Sequence, residues 1–147
     1  MKCFKTNSAL ETIEVGKKIG SLLNPGDVCL LVGDLSAGKT TITKGIGIAL
    51  GVKKVINSPT FTIVKGYKGD LCPLYHLDLY RLDGVNNDFD LEEYMEGDGV
   101  CVIEWPFQVS EILPKEYLKI NLTRTGEESR EITVLGIGRY KEIEEAL

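Results

Sequence analysis

One short stretch constrains this chain more than any other: Gly33-Asp-Leu-Ser-Ala-Gly-Lys-Thr40 has the spacing G-x-x-x-x-G-K-T. That is the phosphate-cradling P-loop, and it functions in one local setting. A strand leads in, and glycines let backbone N–H groups close around phosphate oxygens. A helix leads out with the positive end of its dipole toward the anion. Both flanks fit. Val28-Cys-Leu-Leu-Val32 is an apolar run suited to a buried strand, and Thr41 to Leu50 suits a helix ended by Gly51. In this loop Lys39 reaches β- and γ-phosphates, and the Thr40 hydroxyl is placed to ligate Mg²⁺. No Asn-Lys-x-Asp segment supports guanine, so ATP is the expected nucleotide. No Arg-rich segment of the kind that forms a nucleotide-kinase lid is evident.

A chain of 147 residues is enough for one domain with a sizeable core, so residues 1–147 are read as a single P-loop ATPase domain. The sequence is 43% hydrophobic and 27% charged, ordinary for a globular protein. No apolar run approaches the roughly 20 residues of a membrane span. Met1-Lys-Cys-Phe-Lys-Thr6 lacks a signal-peptide core, so a cytoplasmic location without membrane contact is expected. A net charge of −5 gives no general attraction to nucleic acid, so any such role needs a local patch or a partner protein. Cys3, Cys29, Cys72 and Cys101 have no C-x-x-C spacing and His76 is the single histidine, which argues against zinc. Cys29 and Cys101 fall inside apolar runs and read as buried, reduced thiols.

Ser8 to Leu23 reads as a helix, with Ser8 and Glu11 at capping-box spacing, ended by Asn24-Pro25-Gly26. Val55 to Thr60 reads as a strand that bends at Pro59. Phe61–Tyr67 and Leu74–Leu82 read as a hairpin around Lys68-Gly69-Asp70, and Leu91–Met95 as a short helix. Val100-Cys-Val-Ile103 is continuously apolar, as in a strand buried on both faces, and ends in Glu104. Leu118, Ile120 and Leu122 alternate, as do Ile132 and Val134, giving two late strands around Thr125–Ser129. The expected fold is an α/β, P-loop NTPase-like three-layer domain, its central sheet mostly parallel with antiparallel additions.

Four further places are candidates for chemistry. Glu104 stands where a P-loop ATPase needs a carboxylate near Mg²⁺, at the end of a neighbouring strand. In Tyr75-His-Leu-Asp-Leu-Tyr-Arg81, His76, Asp78 and Tyr80 share one strand face. That face is either a wet face of an antiparallel strand or the carrier of a water-orienting or metal-linked acid, Asp78; His76 equally suits a structural role. Thr60 and Thr62 follow a proline-constrained bend, where P-loop proteins place threonines that sense Mg²⁺ and the γ-phosphate. Trp105, the only tryptophan, is either core or an anchor for a ligand or partner.

Gly33–Thr41, Ser58-Pro-Thr-Phe-Thr62, His76-Leu-Asp-Leu-Tyr-Arg-Leu82 and Ile103-Glu-Trp-Pro106 occur in that order. Together they resemble the bacterial TsaE family, formerly called YjeE, from about Ser8 to Arg130. The resemblance implies a small ATPase required for threonylcarbamoyladenosine (t6A) at position 37 of ANN-decoding tRNAs. It would act with TsaD and TsaB, which perform the transfer, and reach tRNA indirectly through that complex. By position, the nucleotide would meet Gly33, Asp34, Leu35, Ser36, Ala37, Gly38, Lys39, Thr40 and Thr41. Thr40 and Glu104 would hold Mg²⁺, and Lys39, Asp78 and Glu104 would be the catalytic set. Thr60 falls in a switch-like segment and Trp105 beside the active site, while Ser8, Ala9, Ser129 and Arg130 would border the nucleotide. Ser36 stands where the family usually has glycine; a positive φ there would add strain of about 1 kcal/mol. Two other functions fit a P-loop: a small-molecule kinase, and a non-hydrolytic, ATP-gated binding module.

Overall fold

The computed structural model describes residues 1–34, 37–57, 64–78, 91–95, 97–104 and 113–147. Its strands are β1 (Lys2–Thr6), β2 (Val28–Val32), β3 (Val64–Tyr67), β4 (Leu74–Asp78), β5 (Val100–Glu104), β6 (Tyr117–Arg124) and β7 (Arg130–Ile137). Its α-helices are α1 (Ala9–Gly20), α2 (Lys39–Leu50), α3 (Leu91–Met95) and α4 (Lys141–Ala146). The strands form one sheet in the order β1-β7-β6-β2-β5-β4-β3.

The P-loop strand β2 lies at the centre, parallel to β5 on one side and β6 on the other, and β4 is parallel to β5. The β1–β7, β6–β7 and β3–β4 ladders are antiparallel. The sheet is therefore mixed rather than mostly parallel, with its parallel part confined to the strands that surround β2.

Continuous apolarity in β2 and β5 has the expected cause. Cys29, Leu31, Val100 and Val102 enter one core cluster, together with residues of α1 and α2. Val28, Leu30, Cys101 and Ile103 enter the cluster on the opposite face, with Met95 of α3. Both thiols in these strands are free and buried. Burial raises the Cys29 thiol, and it pushes Cys101 up to about 12. In β6 and β7 only alternate residues are fully buried, among them Leu118, Ile120, Ile132 and Val134.

Helix α1 starts as its capping residues dictate. The Ser8 hydroxyl accepts from the Glu11 N–H at 3.2 Å, and Glu11 reaches back to accept from the Asn7 N–H at 3.1 Å. Helix α2 ends in a left-handed Gly51. Among the described residues, no helix is long and apolar enough to cross a membrane.

Two expectations fail here. Residues 55–57 form no strand: Val55 is exposed, Ile56 is buried in the core, and Asn57 donates its N–H to the Tyr67 hydroxyl rather than to a ladder. Of the two readings of β4, the wet face fails over its described residues, where His76 is buried and Asp78 half-buried. The strand lies between β3 and β5, and Leu74, His76 and Leu77 are all buried.

Candidate functional site

The site begins where β2 runs out. Gly33 and Gly38 are both needed, for different reasons. A Cβ on Gly33 would lie 2.6 Å from the Leu122 carbonyl oxygen and 3.1 Å from the Ala37 Cβ, so only glycine fits the space. A Cβ on Gly38 would make only ordinary contacts, the nearest with Arg130 Nε at 3.6 Å, but its φ of 97° is left-handed. It is the N-cap of α2, and its carbonyl accepts the first helical bond, from Ile42 N–H at 3.0 Å. Lys39, Thr40 and Thr41 then form the first turn, at the positive end of the helix dipole.

Lys39 is a cation held inside the fold. It is only 5% exposed, and its ammonium donates to the carbonyls of Gly33 at 2.6 Å and Asp34 at 3.0 Å. Burial lowers its pKa, and the negative charges of Glu104, Asp78 and Asp34 oppose that shift. Glu104 and Asp78 are the two acids expected near the loop, and Asp34 belongs to the loop itself.

Strand register explains why Glu104 and Asp78 meet. Glu104 is the partner of Leu31 in β2 and of Asp78 in β4. Paired residues on parallel strands face the same side. Glu104, Asp78 and Leu31 thus form one row at the carboxyl ends of three adjacent strands, the edge from which the glycine loop emerges. In open α/β sheets this is the edge where ligands bind. Glu104 is buried and hydrogen-bonded to the imidazole of His76, whose Nε2 meets Oε2 of the carboxylate. Asp78 is half-buried.

Beside the start of α2 lies a cavity of about 250 Å³. Ala9 and Thr12 of α1, Gly38 and Thr41, and Arg130 of β7 line it, with Glu127 and Glu128 at the β6–β7 turn. Three expected nucleotide-bordering elements therefore converge, although they are far apart in sequence. The Arg130 guanidinium donates to the turn carbonyls, including Ser129 at 2.9 Å. The Ser129 hydroxyl donates to the Asn7 side chain at 3.3 Å, tying this turn to the start of α1 beside Ser8. Thr12, Glu127 and Glu128 were not among the expected residues. Thr12 follows Ala9 by one helical turn, and that spacing was the signal available for it. Leu35, Ser36, Thr60 and Trp105 lie outside the described residues, as do Thr62, Tyr80 and Arg81.

The fold and site define an α/β protein with a buried lysine and a glycine loop at the carboxyl edge of its parallel strands, next to two carboxylates. This chain belongs to the TsaE family, described as threonylcarbamoyl adenosine biosynthesis protein TsaE, which matches residues 6–132. A Bacillus subtilis (strain 168) protein named tRNA threonylcarbamoyladenosine biosynthesis protein TsaE is 45% identical over 145 residues, covering 98% of this chain and 92% of its own. A Treponema pallidum protein of the same name is 43% identical over 136 residues, covering 91% of this chain and 99% of its own. The crystal structure of Bacillus subtilis YdiB superposes with a TM-score of 0.83 at 41% identity, covering 99% of this chain and 93% of that one.

Proposed function

We propose that this protein is a Mg²⁺-dependent ATPase of P-loop NTPase type that supports t6A formation on tRNA, in the cytoplasm, together with TsaD and TsaB. The observation that carries the reading is the buried Lys39 ammonium between the glycine loop and the Glu104–Asp78 row. A desolvated cation at a helix N-terminus favours phosphate, because both the charge and the dipole act with little water to screen them. The cavity bordered by Ala9, Thr41 and Arg130 offers room for the remainder of a nucleotide.

The donor set also suits Mg²⁺. Thr40 and Glu104 supply hard oxygen ligands, as Mg²⁺ requires. Among the described residues no group of three or more His, Cys, Asp or Glu forms a complete cage. That fits a cation that usually keeps several waters and binds substrate phosphates. When bound, Mg²⁺ neutralises phosphate charge. The chain's own residues do the rest. The loop N–H groups and Lys39 orient the phosphates, and Asp78 or Glu104 orients the attacking water.

The test is ATP hydrolysis by the protein alone and with TsaD and TsaB. Slow hydrolysis alone and a faster rate with the partners is the expected result. Phosphate transfer to a small acceptor without phosphate release would favour a kinase instead. Tight ATP binding with no turnover beside the partners would favour a binding module.

A further inference from the structure

The buried contact between His76 and Glu104 has a role that the P-loop assignment leaves open. His76 is fully buried on the sheet face that carries α1 and α2, two residues before Asp78 in β4. Its Nε2 meets Glu104 Oε2, and its Nδ1 has no hydrogen-bond partner among the described residues. A buried polar atom without a partner costs stability, and a leucine would fill such a core position without that cost. The neighbours Leu74 and Leu77 show that β4 otherwise uses apolar residues here. The imidazole thus stands among apolar residues, and its one described bond goes to the carboxylate that ends β5.

We infer that His76 is a positioning residue: its Nε2–H fixes Glu104 Oε2 and so aims the other carboxylate oxygen toward the Mg²⁺–phosphate end of the site. This rests on the reading of Glu104 as a Mg²⁺-associated acid. In this arrangement Nε2–H donates and the carboxylate oxygen accepts. The geometry follows from register. His76 pairs with Val102, two residues before Glu104, and the two side chains meet diagonally across one face of a parallel ladder. Carboxylates that meet metals are commonly oriented by such an outer partner, and losing the partner costs about 10–100-fold in metal affinity.

The experiment uses the full chain and three variants: His76→Leu, His76→Gln and Glu104→Ala. Binding of a fluorescent ATP analogue is titrated with and without Mg²⁺, and thermal midpoints verify folding. His76→Leu should raise the Mg²⁺ concentration needed for half-maximal binding by about 10–100-fold, with Mg²⁺-free binding unchanged. His76→Gln places an amide donor near Nε2 and should recover most of the loss. A folded His76→Leu with wild-type Mg²⁺ dependence, while Glu104→Ala is impaired, overturns the inference alone. Wild-type dependence in Glu104→Ala overturns the reading of Glu104 and the inference with it. Because His76 is the single histidine of the chain, ¹⁵N NMR of the wild type reads its protonation site directly. A proton on Nε2 is expected, and an imidazole protonated only on Nδ1 overturns the inference even if His76→Leu fails to fold.

Discussion

Gly33 and Gly38 belong to one motif, yet substitutions at the two should rank in opposite order. At Gly38 the backbone has a φ of 97°, and the nearest atom outside the loop to an added Cβ is Arg130 Nε at 3.6 Å. Alanine there meets no clash and pays only for its conformation. The left-handed backbone costs about 1–2 kcal/mol, and alanine is also a poorer N-cap than glycine. Gly38→Ala should therefore lose about 2 kcal/mol. Asparagine tolerates left-handed backbone better and caps helices well, so Gly38→Asn should lose less. At Gly33 the obstacle is the Leu122 carbonyl, 2.6 Å from an added Cβ. Backbone cannot rotate away as a side chain can, and overpacking costs about 1–3 kcal/mol. Here the larger residue is worse, so Gly33→Asn should lose more than Gly33→Ala. Urea unfolding of the four variants measures this, and Gly38→Ala should lower the thermal midpoint by about 4–8 °C. The same rank order at both positions would refute the distinction between space and conformation.

Lys39→Ala should remove most ATP affinity, since a buried cation beside the phosphates is lost; unchanged affinity in a nucleotide titration would remove the P-loop assignment. Glu104→Ala should reduce Mg²⁺-dependent turnover more than nucleotide binding, and Asp78→Ala should lose turnover while staying folded; turnover at varied Mg²⁺ and a thermal midpoint decide both. Burial pushes the Tyr140 hydroxyl from its ordinary 10.0 up to about 12. The folded form holds that proton more tightly, so the stabilisation is intact below pH 10 and is lost as pH rises through 12. The stability gap between wild type and Tyr140→Phe in urea should accordingly shrink between pH 10 and 12, and a constant gap would contradict it. ATP should strengthen association with TsaD–TsaB as those partners strengthen ATP binding, because coupling is reciprocal; calorimetry with ATP, ADP and no nucleotide checks this.

The parts of the fold that could be read from the chain are those where one pattern had one physical cause. Two continuous apolar runs became β2 and β5, because both of their faces are buried, and Ser8 with Glu11 fixed the start of α1. Strand β1 went unread, since Lys2-Cys-Phe-Lys-Thr6 is short and half-exposed and depends on pairing with β7, far away in sequence. Helix α4 has no buried residue, so its acidic sequence carries no stripe strong enough to declare it. Val55-Ile56 looked like a strand because both residues are β-branched, but Ile56 serves as a single plug beside Gly47. At the site, Lys39 and Glu104 were legible from motif and strand end. The His76–Glu104 contact was not, because it depends on the β4–β5 register, which sequence spacing does not determine.

If nucleotide binding at Lys39 is what this protein contributes to t6A formation, loss of the lysine must lower t6A in cells. The most direct measurement is the t6A content of tRNA from cells whose only copy carries Lys39→Ala, with the variant shown to be folded and present at wild-type level. In those cells t6A should fall to the level seen when the protein is depleted. Wild-type t6A in those cells would contradict that role.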